Sequence, residues 1–107
     1  MKRNSEKKEF AFSAADYPRL TEFFDGYLHQ EFRDEYGSPG AAAQAYCNDA
    51  SHQQVVEAES EWAKLRKNLE GQAISKWQEV VDKLGGSWRP QTEEDLLSLE
   101  KVFRASV

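Results

Sequence analysis

Ser51–Gly71 (SHQQVVEAESEWAKLRKNLEG) is the stretch whose reading decides the fold. Val55, Ala58, Trp62, Leu65 and Leu69 step by three and four residues, the spacing at which side chains share one face of an α-helix. Between them stand Glu57, Glu59, Glu61, Lys64, Arg66 and Lys67, which leave the remaining faces polar. Ser51 is a good N-cap, because its hydroxyl can accept a backbone N–H of the first turn. Gly71 supplies the stop.

The same pattern recurs outward from this helix. Downstream, Ile74, Trp77, Val81 and Leu84 mark a second apolar stripe that ends at Gly85-Gly86. Trp88-Arg89-Pro90 is a connector, and Thr92 with Asp95 three residues on caps a final helix whose Leu96, Leu99 and Phe103 face inward. Upstream, Ser38-Pro39 reads as an N-cap followed by proline in the first turn, opening an alanine-rich helix over residues 40–50 that carries Tyr46 and Cys47. Before it, a helix is predicted to start near Asp16–Pro18 with Asp16 as N-cap. Leu20, Phe23, Phe24, Tyr27 and Leu28 form its apolar face. Continued to Gly37, it turns Leu28 and Phe32 inward and His29, Gln30, Arg33 and Asp34 toward solvent. Gly26 costs such a helix about 1 kcal/mol relative to alanine, which implies a close helix crossing or a need for backbone room.

No convincing strand pair is visible. Glu9–Ser13 alternates briefly, with Phe10 and Phe12 on one side, as a short strand or as an anchor over the helices. The fold class is therefore all-α, a compact bundle of about five amphipathic helices. It forms a single domain over residues 13–107 behind a polar tail, residues 1–12.

Charge narrows the function classes. Of the net charge of −5, residues 13–38 carry −4, from Arg19 and Arg33 against Asp16, Glu22, Asp25, Glu31, Asp34 and Glu35. An acidic surface repels phosphate backbones and steers basic partners, which argues against direct nucleic-acid binding. No window approaches a membrane span. The basic N-terminus lacks the apolar core of a signal peptide, and the single cysteine cannot form an internal disulfide, so cytoplasm is the expected compartment.

Catalytic patterns are missing. The six glycines are scattered or helix-terminal, which sets aside glycine-rich phosphate loops. Cys47 and His52 are separated by a predicted helix boundary, and Cys47 reads as a small buried side chain. No cofactor is implied. One alternative is a metal-binding regulator or metal-dependent enzyme centred on Asp25, His29, Glu31 and Asp34, a carboxylate–imidazole set that could hold a divalent cation. The same four-residue spacing of Asp25 and His29 also suits an ordinary surface ion pair. Trp62 and Trp77 sit on apolar stripes as core residues. Trp88 beside Arg89 is either an interface anchor or a lid over the end of the core. Asp25, Glu31, Asp34 and Glu35, flanked by Tyr27 and Tyr36, make a surface suited to a basic protein partner.

Tyr17-Pro18-x-Leu20-x-x-Phe23-Phe24-x-Gly26-Tyr27-x-His29-Gln30-Glu31-Phe32, followed by Glu35-Tyr36-Gly37-Ser38-Pro39, resembles the opening signature of a family of contact-dependent growth inhibition immunity proteins. The resemblance runs from Tyr17 to about Ala50, with Glu31 where aspartate is more usual. It implies a small cytoplasmic bacterial protein without catalysis, which binds and neutralises a cognate toxin domain delivered by a neighbouring cell. Many such toxins are nucleases and basic, which agrees with the acidic segment. The candidate toxin-binding residues are Asp25, His29, Gln30, Glu31, Asp34, Glu35, Tyr36, Trp88 and Arg89. His29 and Gln30 could instead tie helix ends together, with partner contacts around Trp88 and Arg89 or on Glu57, Glu59 and Glu61.

Overall fold

The computed structural model describes residues 12–107. Among them, helices α1 (Pro18–Tyr27), α2 (Phe32–Glu35), α3 (Pro39–Asp49), α4 (His52–Asn68), α5 (Ile74–Lys83) and α6 (Glu93–Ser106) follow a short 3-10 turn at Ala14–Asp16, and no strand is present. α1 and α6 each pack against both α3 and α4. The amphipathic α5 adds Trp77, Val80 and Val81 to the same buried cluster.

The caps read from the sequence form as expected. Ser38 Oγ accepts from Ala41 N. Ser51 with Gln54, and Thr92 with Asp95, each close a reciprocal capping box. Gly37, Gly71 and Gly85 take the positive φ that stops a helix. Trp62 is the centre of the core. Its ring lies 5.4 Å from Trp77, 6.2 Å from Phe103 and 6.5 Å from Phe24. Phe23 meets Phe103 edge-on at 5.5 Å, a geometry that aligns ring edges with ring faces.

Three expectations need correction. Asp16 is not the N-cap of α1; it lies in the 3-10 turn, and the capping position belongs to Tyr17, whose side chain makes no cap bond. Glu61 of α4 does that work instead, its Oε1 accepting Arg19 N at 2.9 Å and Leu20 N at 3.0 Å. Because Pro18 has no N–H and Thr21 N reaches Tyr17 O, no donor of that first turn is left over. Gly26 marks no close crossing, since a Cβ built there meets nothing within 4 Å. And the first helix does not run to Gly37. It stops at Tyr27, because the His29 ring takes the Glu31 N–H that a continuous helix would send to Tyr27 O.

Phe12 stacks on Tyr17 at 5.5 Å and packs against the core, as an anchor does. Phe10 and the rest of the tail lie outside the described residues.

The Glu61 cap is testable. Glu61→Ala is expected to lower stability by about 1 kcal/mol, as for loss of an N-cap, while Glu61→Gln keeps the accepting oxygen and most of the stability. Burial raises the Glu61 carboxyl above its ordinary value, against the opposing pull of the Leu20 and Arg19 N–H groups. The folded chain therefore binds this proton more tightly than the unfolded one. The stability from this group is present below the ordinary glutamate range and declines as pH rises to the shifted value. Urea denaturation across that range should show a flatter pH dependence for Glu61→Gln than for the wild type.

Candidate functional site

The break after α1 builds one wall of a cleft. Leu28 ends the helix with its N–H on Phe23 O. His29 then works with both ring nitrogens. Nδ1 accepts Glu31 N at 3.1 Å, and Nε2 lies 3.0 Å from Glu35 Oε1. An accepting Nδ1 requires the neutral tautomer with its proton on Nε2, so the ring donates to the Glu35 carboxylate. This pair ties the turn to α2 and directs Gln30, Glu31, Arg33 and Asp34 outward as exposed residues, while Phe32 is buried.

Tyr36 secures the far end of α2. Its ring stacks on Tyr27 at 5.8 Å, and Tyr27 Oη donates to Asp49 Oδ2 at 2.7 Å. That hydrogen bond, with burial adding to it, pushes the Tyr27 phenol up to about 12.

The opposite wall is the segment from Gly85 to Thr92. Ser87 N donates to Leu28 O at 2.8 Å, which clamps the segment onto the end of α1. Gly86 permits this approach: a Cβ there would lie 2.9 Å from Val81 Cγ1 and 3.1 Å from Phe24 Cδ1. Arg89 Nη2 pairs with Asp82 Oδ2 at 2.6 Å. Gln78 Nε2 donates to Pro90 O at 2.7 Å. Asp95 Oδ2 accepts Gln91 N at 2.7 Å and Thr92 N at 3.3 Å.

Between the walls lies an open cleft of about 850 Å³, bordered by Gln30, Glu31, Arg33 and Asp34 on one side and Ser87, Arg89 and Gln91 on the other. Phe32 and Trp88 line it from beneath, 5% and 6% exposed. The structure thus brings together Gln30, Glu31, Asp34, Trp88 and Arg89, five of the nine sequence candidates. Trp88 belongs to the buried cluster, so of its two readings the lid over the core matches its place. His29, Glu35 and Tyr36 are engaged in holding α2. Asp25 is exposed outside this lining, its side chain against Gly85. Thr92 and Asp95 also line the cleft, which the sequence had shown only as a helix cap. The apolar stripe gave the one available signal for Phe32.

The metal alternative is overturned. Among the described residues no group of three or more His, Cys, Asp and Glu side chains gathers to hold an ion. With the helix broken at Leu28, Asp25 turns toward Gly85 while His29 is committed to Glu35 and to the backbone of Glu31. Cys47 is half-buried, and that burial pushes its thiol up, opposed by a hydrogen bond with Ser106. A raised thiol is a poor nucleophile.

With both walls inside the matched region, a family model described as CdiI immunity protein aligns with residues 16–98. The chain belongs to the CdiI immunity protein family. The match extends well past Ala50, where the resemblance read from the sequence ends, and takes in α4, α5, the 85–92 segment and the start of α6. Neither a curated protein nor a solved structure matches the chain. No helix among the described residues is long and apolar enough to cross a membrane.

Proposed function

We propose that the chain is a cytoplasmic immunity protein that binds a toxin domain delivered by contact-dependent growth inhibition and neutralises it stoichiometrically, without catalysis. Membership of the CdiI immunity family carries this reading. The architecture supports it: a small helical scaffold with short capped turns, presenting exposed polar side chains on a framework that its own hydrogen bonds hold in place. Such preorganisation reduces the ordering cost of forming a complex. The contact surface we propose includes the outward side chains Gln30, Glu31 and Asp34 with the adjoining Asp25, and the rim residue Arg89. His29, Glu35 and Tyr36 act behind them as supports for α2.

The polypeptide encoded immediately upstream is the probe. Expressing its C-terminal domain inside cells should arrest growth, and co-expression of this chain should restore it. Growth arrest that persists at equal expression of the two would refute the proposal.

A further inference from the structure

The cleft between α2 and the 85–92 segment combines a buried aromatic floor, a polar rim and two carboxylates that pair with no side chain among the described residues. Glu31 and Asp34 border it, and neither carboxylate has an ion-pair or hydrogen-bond partner among the described residues. Many other acids are engaged: Glu22 and Glu57 by Arg19, Glu93 and Glu100 by Arg66, Glu79 by Lys76 and Lys83, and Asp82 by Arg89.

Of the two arginines at the cleft, only Arg33 is left to offset part of this charge. Arg89 is held by Asp82. The Arg33 guanidinium lies over the Phe32 ring, 4.9 Å from its centroid, with no carboxylate partner among the described residues. That contact already shows a planar cation resting on an aromatic face at this site. Asp95 is used up by the backbone N–H groups of Gln91 and Thr92.

We propose that this cleft is the docking site for a lysine- or arginine-bearing loop of the toxin domain, an assignment that rests on the immunity reading above. A long basic side chain is amphipathic: its methylene stem suits the Phe32–Trp88 floor and its charged head reaches the rim. Glu31 and Asp34 accept from the head group, and Gln30 and Gln91 are placed to meet the loop's backbone. A space of about 850 Å³ has room for several side chains, so the occupant is a loop and not a single residue. The pair also acts before contact, because carboxylates steer a basic partner through solution.

The test uses the full chain and the C-terminal domain of the upstream-encoded polypeptide, with association rates measured from low to high salt. Glu31→Lys with Asp34→Lys should slow association by about tenfold or more at low salt and flatten the salt dependence. Glu31→Gln with Asp34→Asn should fall between this variant and the wild type. The control, Asp16→Lys with Glu70→Lys, makes the same change in net charge at two exposed acids, one in the 3-10 turn before α1 and one just after α4. It should associate nearly as the wild type does. An unchanged rate for the cleft variants, or an equal slowing by the control, overturns the docking site while leaving the immunity reading intact. Failure of the wild-type chain to bind the domain at all overturns both.

Discussion

Trp62→Ala is expected to lower stability by about 3–5 kcal/mol, the range for removing a large aromatic side chain from a core. Trp62 is 1% exposed, and its ring joins α4 to Phe24 of α1, Trp77 of α5 and Phe103 of α6. A small domain is stable by only about 5–15 kcal/mol, so this one truncation removes a large share of the total. The indole adds a sharper point. Trp62 Nε1 is buried with no hydrogen-bond partner among the described residues, and such a donor costs about 1–3 kcal/mol to bury. Trp62→Phe removes that donor while keeping an aromatic ring in place, so its loss should fall well short of the alanine variant's. Urea denaturation midpoints with an unchanged slope would measure both. A phenylalanine variant as unstable as the alanine variant would contradict the cost assigned to the unpartnered N–H.

Gly86→Ala and Gly26→Ala should move stability in opposite directions, although both add one methyl group. At Gly86 the new carbon would meet Val81 Cγ1 at 2.9 Å and Phe24 Cδ1 at 3.1 Å. Neither neighbour can easily retreat, since Val81 and Phe24 are both buried in the core. Overpacking of this kind costs about 1–3 kcal/mol. It would also lift the 85–92 segment from α1 and strain the Ser87 N to Leu28 O bond, so binding at the proposed cleft should weaken together with stability. At Gly26 a Cβ has open space on a helical residue, and alanine there should stabilise by about 0.5–1 kcal/mol. Thermal unfolding of the two variants against the wild type decides this. Destabilisation by Gly26→Ala would mean that the C-terminal turn of α1 needs the glycine's freedom.

The contrast between these glycines shows what was legible in the sequence. Helices with a clean stripe and a local cap could be read directly. Ser38, Ser51 and Thr92 act within their own first turns, and three- and four-residue spacing placed Val55, Trp62, Leu65, Leu96, Leu99 and Phe103 in the core. What failed depended on partners remote in the chain. The cap of α1 comes from Glu61 on α4, so the nearby Asp16 looked adequate. The apolar pattern of Leu28 and Phe32 suits a continuous helix as well as a broken one. The break shows only in what the His29 ring accepts and in where Ser87 docks.

The candidate site was legible in halves for the same reason. The acidic stretch around Glu31 and Asp34 and the connector at Trp88-Arg89 each stood out as separate segments. That they face one another across a cleft depends on Gly86 fitting beneath Val81 and Phe24, which no local pattern encodes. Composition likewise could not divide the acids into those already paired and those left free. Arg19 and Arg66 make that division by reaching Glu57 on a neighbouring helix and Glu93 and Glu100 on another.

Stoichiometric neutralisation is the central claim, and a titration tests it most directly. The activity of a fixed amount of the C-terminal domain of the polypeptide encoded upstream, the proposed toxin, would be followed as this chain is added, at concentrations far above the dissociation constant. Activity should fall in a straight line and vanish at one equivalent. Complete loss at a small fraction of an equivalent would reveal turnover by the chain, and undiminished activity beyond one equivalent would show no neutralisation; either result contradicts the claim.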